Sequence, residues 1–250
     1  MSEQRLEIDV STDFHSDVSP GTDPDSYSPL LREAHRRLWS KTLDSGSSLR
    51  LDAPARRRDG YLVHTDSDGR TTYFGSDAIT NSYSRWSRPK SLVAALTSLS
   101  AQERDAYLNP PYTIGSAMIW PLRSSSRPTI NQARGIRSVI ADRMDLTLEC
   151  VRRHYASESS PLMDVLTAYG DFFDRFSGFR EFVDFFHLQD LVNIDYSEVQ
   201  YLLPFNEFSR TGLPVTRDEY IAYREASLLF IAQRSRRMID WLGKHSHEAE

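Results

Sequence analysis

The chain has 250 residues, a formal net charge of −5, 39% hydrophobic residues and 28 aromatic side chains. That is enough apolar surface for a sizeable core, which excludes wholesale disorder. The acidic balance argues against a general DNA coat, and the single cysteine, Cys150, excludes an intrachain disulfide framework and a four-cysteine zinc site.

No apolar run reaches the length of a membrane span, and the acidic N-terminus does not resemble a signal peptide. The expectation is a soluble, cytoplasmic protein with no membrane partner. Residues 1–28 carry seven acidic residues against one basic residue, Arg5, and include a turn-rich stretch at 19–25. They read as a disordered acidic tail, or else as an acidic partner-binding arm. Residues 29–250 are close to neutral, at +1.

In chain order, residues 29–39 have helical spacing, with Leu30, Leu31, Ala34 and Leu38 on one side. Residues 61–64 and 70–74 are β-prone runs around Asp66-Ser67-Asp68-Gly69, a hairpin signal. Asp66 and Asp68 lack the longer ligand ladder of a calcium loop, so a plain turn is expected. Residues 91–107 read as one helix closed by Pro110-Pro111. Residues 112–122 read as a buried strand, with Pro121 marking its end or an edge position. A loop follows at 124–128.

The second half reads as mostly helical. Helices are expected at 136–155, 162–176 and 179–192, and a strand at 199–203. A long helix should run from 217 to about 242, N-capped by Thr216. The expected architecture is one α+β domain over 29–243, with a helical C-terminal half packed on a small N-terminal sheet and a flexible tail at 244–250.

Several stretches resemble a family of uncharacterised bacterial proteins. They include Leu38-Trp39-Ser40-Lys41, Thr113-Ile114-Gly115, Thr129-Ile130-Asn131-Gln132-Ala133-Arg134-Gly135 and the dense run at 142–155. Tyr169-Gly170-Asp171-Phe172-Phe173, Gln189-Asp190-Leu191-Val192 and Leu203-Pro204-Phe205 continue the resemblance, which covers roughly residues 35–242. It implies no activity, because the family has none assigned. The chain departs from the family at Ser235, where Asn is more typical, and at His187, where a large apolar residue is more typical.

The densest polar signal lies at 123–153, where Arg123, Arg127, Arg134, Arg137, Arg143, Arg152 and Arg153 exceed the acids by four charges. Arginine forks match phosphate and carboxylate. If Asn131 to Gly135 forms a loop before a helix, its backbone N–H groups favour an anion. Asn131, Arg134 and Arg152 are therefore the candidate ligand contacts. The competing reading is an ion-pair network with the acidic stretch 164–198, whose balance is −6.

Asp145, Glu149 and Arg152 fall at i, i+4 and i+7. The two carboxylates are candidates for acid–base or Mg²⁺ chemistry, though orienting Arg152 is the simpler role. No metal site is assigned. His187, flanked by Asp184 and Asp190, is a third catalytic candidate, weighed against a satisfied core histidine. Cys150 reads as a buried inert thiol, and the Phe172 to Phe186 aromatics read as core. His245 and His247 form at most a weak metal pair. Dinucleotide, P-loop, HExxH and GxSxG motifs are absent, which disfavours the commonest cofactor and hydrolase classes and leaves any cofactor unknown.

Two functions follow. The first is a binding or regulatory protein for an anionic small molecule, nucleotide or acidic partner. The alternative is an enzyme acting on a nucleotide or phosphodiester. Nucleic acid and oligomeric state are left open. Both functions require Asn131, Arg134, Asp145 and Glu149 to converge on one open cleft. An interaction scaffold would instead expose an apolar patch.

Overall fold

The computed structural model describes residue 9 and residues 11–55, 61–83, 90–108, 112–122 and 128–245. Arg123, Arg127, Pro110, Pro111, His247, most of the expected 124–128 loop and residues 246–250 lie outside the described residues, as do residues 1–8 and 10. The described segment after residue 10 packs onto the body instead of forming a free tail. Phe14 is fully buried, and its N–H donates to the Tyr112 carbonyl at 3.0 Å. One aromatic side chain anchors a segment whose composition alone reads as disordered.

A short helix, α1 (Pro24–Tyr27), leads into α2 (Pro29–Trp39). Pro29 suits the first helical turn, and Ser28 caps it by accepting from the Leu31 N–H at 2.9 Å. Leu31, Ala34, His35, Leu38 and Trp39 form its buried face. The chain then folds back through a hairpin of β1 (Lys41–Thr42) and β2 (Ser48–Leu49), with Lys41 opposite Leu49.

The main sheet is an antiparallel meander of β3 (Leu62–Thr65), β4 (Thr71–Ala78) and β5 (Ala117–Leu122). The Asp66-Ser67-Asp68-Gly69 turn joins the first two, as its Asp-Gly pair predicts, with Gly69 at φ 83°. Strand β5 lies at the sheet edge, where Pro121 is tolerated opposite Phe74.

The single helix expected at 91–107 is two, α3 (Lys90–Thr97) and α4 (Ala101–Leu108). Ser100 and Glu103 cap each other's backbone N–H groups at 3.2 and 2.8 Å, and this capping box restarts the helix. The expected start at 136 also shifts. Helix α5 (Ile130–Ile136) begins at a capping box between Thr129 and Gln132, and α6 (Met144–Tyr155) follows a tight turn. Thus Asn131 to Gly135 is helix, not loop.

Three short helices follow: α7 (Met163–Ala168), α8 (Gly170–Phe173) and α9 (Phe179–Phe185). The strand expected at 199–203 reduces to a single bridge between Val192 and Val199. The last helix, α10 (Arg217–His245), is capped by Thr216, whose hydroxyl accepts from the Glu219 N–H at 3.1 Å. It runs past the 3-10 turn Ile114–Ser116, α2, α3 and α4. Its buried positions are Tyr220, Tyr223, Arg224, Ser227, Phe230, Arg234 and Met238. The result is a mixed α+β fold whose main apolar cluster draws on residues from Phe14 to Met238. The phenylalanines of α8, of α9 and of the residue after it pack edge-on or tilted against one another inside it.

Candidate functional site

Arg134, Arg137, Arg143, Arg152 and Arg153 find carboxylate partners inside the protein. Arg134 on α5 is fully buried. Its Nε donates to Thr147 Oγ1 at 2.9 Å and its Nη1 to Asp77 Oδ2 at 3.1 Å, while Asp142 Oδ1 lies 3.4 Å from Nη2. The guanidinium also sits 5.5 Å from the Trp120 ring centroid. Asp145 is fully buried, is gripped by Arg143 and accepts from the Leu202 N–H at 2.9 Å. Glu149 accepts from Arg152 Nε at 2.9 Å and from Arg153 Nε at 2.6 Å. Burial works to raise the Glu149 pKa, but the two arginines outweigh it and hold the group below the usual range. Arg152 also reaches Glu158 at 3.0 Å, and Arg137 joins the acidic stretch at Asp164, 2.8 Å away.

This geometry corrects the expected convergence. Arg134 faces Asp77 on the sheet, Asp145 faces Arg143, and Glu149 holds two arginines. Asn131 sits half-buried in the first turn of the seven-residue α5. The four residues do not share an open cleft. A shallow depression on α3, lined by Lys90, Val93, Ala94, Thr97 and Ser98, includes none of them.

A different cluster keeps polar groups without partners. It forms where the end of α2, strand β1, the end of α9 and the middle of α10 meet. Helix α2 delivers Trp39 and β1 delivers Lys41 two residues later. His187 follows α9 in the left-handed region, at φ 54°. Helix α10 brings Arg234 and Trp241. The His187 ring lies 5.7 Å from Trp39 and 6.3 Å from Trp241. Lys41 Nζ lies 4.6 Å from the Phe185 ring, 4.9 Å from Trp241 and 5.5 Å from Trp39, and donates to the Phe185 carbonyl at 3.0 Å.

Arg234 is fully buried, 5.8 Å from the Trp39 ring. Its Nε donates to the Phe186 carbonyl at 3.1 Å, and its Nη1 donates to the Gly115 and Ala117 carbonyls at 2.7 and 2.8 Å. Its Nη2 makes no hydrogen bond, and among the described residues no carboxylate pairs with it. Trp39 Nε1 and His187 Nε2 are buried and unpaired as well. Burial pushes the Arg234 pKa down to about 9, so it remains a cation at neutral pH. Burial also takes Lys41 down to about 7, with Asp184 working in the other direction. His187 falls to about 3, first through burial and then through Lys41, Arg234 and Arg237. Its imidazole is therefore neutral.

The expected orientation of His187 by a flanking carboxylate is not found. Asp184 accepts from Tyr196 at 2.6 Å and from Gln189 at 2.9 Å, while Asp190 is held by both arms of Arg237 at 2.7 Å. Glycine at 115 is required here. A Cβ would stand 2.0 Å from Ser235 Oγ and 2.9 Å from the Ile231 carbonyl, so α10 could not approach closely enough to lend Arg234 to the Gly115 carbonyl.

Sequence reasoning reached His187 but missed Trp39, Lys41 and Arg234. The available signal was Arg234 itself. It lies four residues after Phe230 and four before Met238, a charge at apolar helical spacing, as Arg224 is ten residues earlier. The described residues contain no group of three or more His, Cys, Asp or Glu able to hold a metal, and no helix among them is long and apolar enough to cross a membrane.

The fold and this cluster define a mixed α+β protein with an unpaired cationic centre where α2, β1, α9 and α10 meet. The chain belongs to a family of unknown function, DUF6994, whose model matches residues 8–238. No curated protein and no solved structure matches it.

Proposed function

We propose that the protein binds a small anionic molecule, bearing a carboxylate or phosphate, at the cluster of Trp39, Lys41, His187 and Arg234. The carrying observation is the fully buried Arg234, whose Nη2 has neither a carboxylate nor a carbonyl partner. Leaving a buried cation unpaired is costly, and an anion would offset that cost. The other groups fit the same ligand. Trp39 Nε1 is a donor without an acceptor, Lys41 adds an amine, and Trp39, Phe185 and Trp241 offer apolar walls. This site takes the place of Asn131, Arg134 and Arg152 as the ligand contact and keeps His187. It suits a binding or regulatory protein of the cytoplasm, where the lone thiol of Cys150 stays reduced.

The test is a thermal-shift series with acetate, succinate, citrate, inorganic phosphate and nucleotides. A ligand at one hundred times its Kd stabilises by about 2.7 kcal/mol, which for a chain of this size raises Tm by about 5–10 °C. The shift should vanish in Lys41→Met and in Trp39→Phe, provided that each keeps its unliganded Tm. A flat response to every anion, or a shift unchanged in both variants, overturns the reading.

A further inference from the structure

Lys41 has a chemical capacity that anion binding does not use. Its amine has one hydrogen-bond acceptor, the Phe185 carbonyl, and otherwise faces three aromatic rings. The carboxylate nearest in electrostatic effect, Asp184, is already engaged by Tyr196 and Gln189. Lys41 Nζ and the Arg234 guanidinium lie 5.5 and 5.8 Å from the same Trp39 ring, so both cations border one indole. Desolvation, the cause that lowers the Lys41 amine, is a means by which a lysine becomes a neutral nucleophile.

We propose that Lys41 is a covalent attachment point that forms a reversible imine with the aldehyde or 2-oxo group of a small carboxylate held at Arg234. The inference rests on the anion-binding reading and narrows its ligand to oxo-carboxylates. In the reaction, the Nζ lone pair adds to the carbonyl carbon and the carbonyl oxygen gains a proton, giving a carbinolamine. The C–O bond then breaks, the hydroxyl leaves as water and the nitrogen loses its remaining proton. The balance is amine plus carbonyl to imine plus water, with no oxidant or reductant. The neutral His187 imidazole, whose Nε2 is unpaired and whose ring borders the same Trp39 and Trp241 as Lys41, is the group assigned to relay the proton.

The chain provides its own controls, because its other lysines are the exposed Lys90 and Lys244. The full chain is incubated with glyoxylate and cyanoborohydride at pH 7, and labelling of each lysine is read by peptide mass spectrometry. Ordinary lysines are almost wholly protonated at this pH, so Lys41 should be labelled at least about tenfold faster than Lys90 or Lys244. Its labelling rate should rise with a midpoint near pH 7, and excess acetate should slow it. Arg234→Met should reduce glyoxylate labelling of Lys41 more than labelling by the uncharged propanal.

Equal labelling of all three lysines overturns the proposal. If acetate or phosphate still raises Tm in that case, the anion site stands and only the imine fails. If Lys41 is labelled selectively by propanal and glyoxylate alike, with no anion raising Tm, the anion reading fails and the assignment to oxo-carboxylates falls with it.

Discussion

Arg134 and Arg234 are both fully buried arginines under an aromatic ring, Trp120 for one and Trp39 for the other. They differ in what neutralises them. Arg134 has Asp77 and Asp142 beside it, and its Nε reaches the Thr147 hydroxyl. Among the described residues Arg234 has three backbone carbonyls and no carboxylate, with one nitrogen left over. A carbonyl offers a dipole where a carboxylate offers a full charge, so the first arginine is compensated and the second is not. Burial of a charge therefore does not by itself distinguish structure from site. The partner inventory does.

The largest effect should come from breaking the compensated centre. Arg134→Met removes the buried guanidinium that faces Asp77 and Asp142 and should cost about 3–5 kcal/mol in urea unfolding. Arg234→Met removes donors from three carbonyls but also removes an unpaired buried cation. The two changes oppose each other, and the net cost should be nearer 1–3 kcal/mol. Equal costs for the two variants would break the comparison.

That contrast also shows which features were legible in the sequence. Helix α2, the Asp-Gly hairpin, edge strand β5 and the Thr216 cap of α10 are set by neighbours within a turn or a strand, and periodicity or turn chemistry exposes them. The break between α3 and α4 was hidden because apolar spacing continues through Ser98-Leu99-Ser100, although the Ser100–Glu103 box was present. Asn131 and Gly135 gave the segment the look of a loop, and the Thr129–Gln132 box that starts α5 was overlooked. The site was less legible for a different reason. Arg134 meets Asp77 across 57 positions, and Arg234 meets Gly115 across 119. Only the closed sheet and the docked α10 decide which arginine receives a carboxylate. His187 was visible as an unusual residue, but its flanking acids are claimed by Tyr196, Gln189 and Arg237.

A pH series sharpens the contrast at the uncompensated centre. Lys41 falls from 10.5 to about 7 on folding. Between those values the unfolded chain holds a proton that the native protein has released. Stability therefore rises with pH across this window, and the contribution is lost again as pH falls through about 7. The half-buried position of Lys41 limits the gain to about 1–3 kcal/mol. Urea unfolding at pH 7, 7.5, 8 and 8.5, below the value of about 9 at which Arg234 titrates, should show this rise in the wild type and its loss in Lys41→Met. The same slope in both proteins would mean that other groups titrate there. In the acid range, His187 and His35 both fall to about 3. Stability should therefore decline as pH drops from about 6.5 toward 3, because the unfolded chain takes up protons that the native rings refuse.

The smallest effect should come from Arg152, the half-exposed arginine that the sequence marked as a ligand contact. Its guanidinium is shared between Glu149 and Glu158, and Arg153 also holds Glu149. Removing it leaves Glu149 with one arginine instead of none, so the carboxylate is never stranded. Arg152→Ala should cost only about 0.5–1 kcal/mol, the range of an exposed ion pair, and added salt should shrink the difference. It should leave any anion-induced rise in Tm at its wild-type size, because Arg152 on α6 belongs to the compensated network. A variant that kept its fold but lost the anion response would move the ligand back to the arginine-rich helix and away from Arg234. An unchanged response, set beside its loss in Lys41→Met, would separate the two cationic regions by function as the partner inventory separates them by structure.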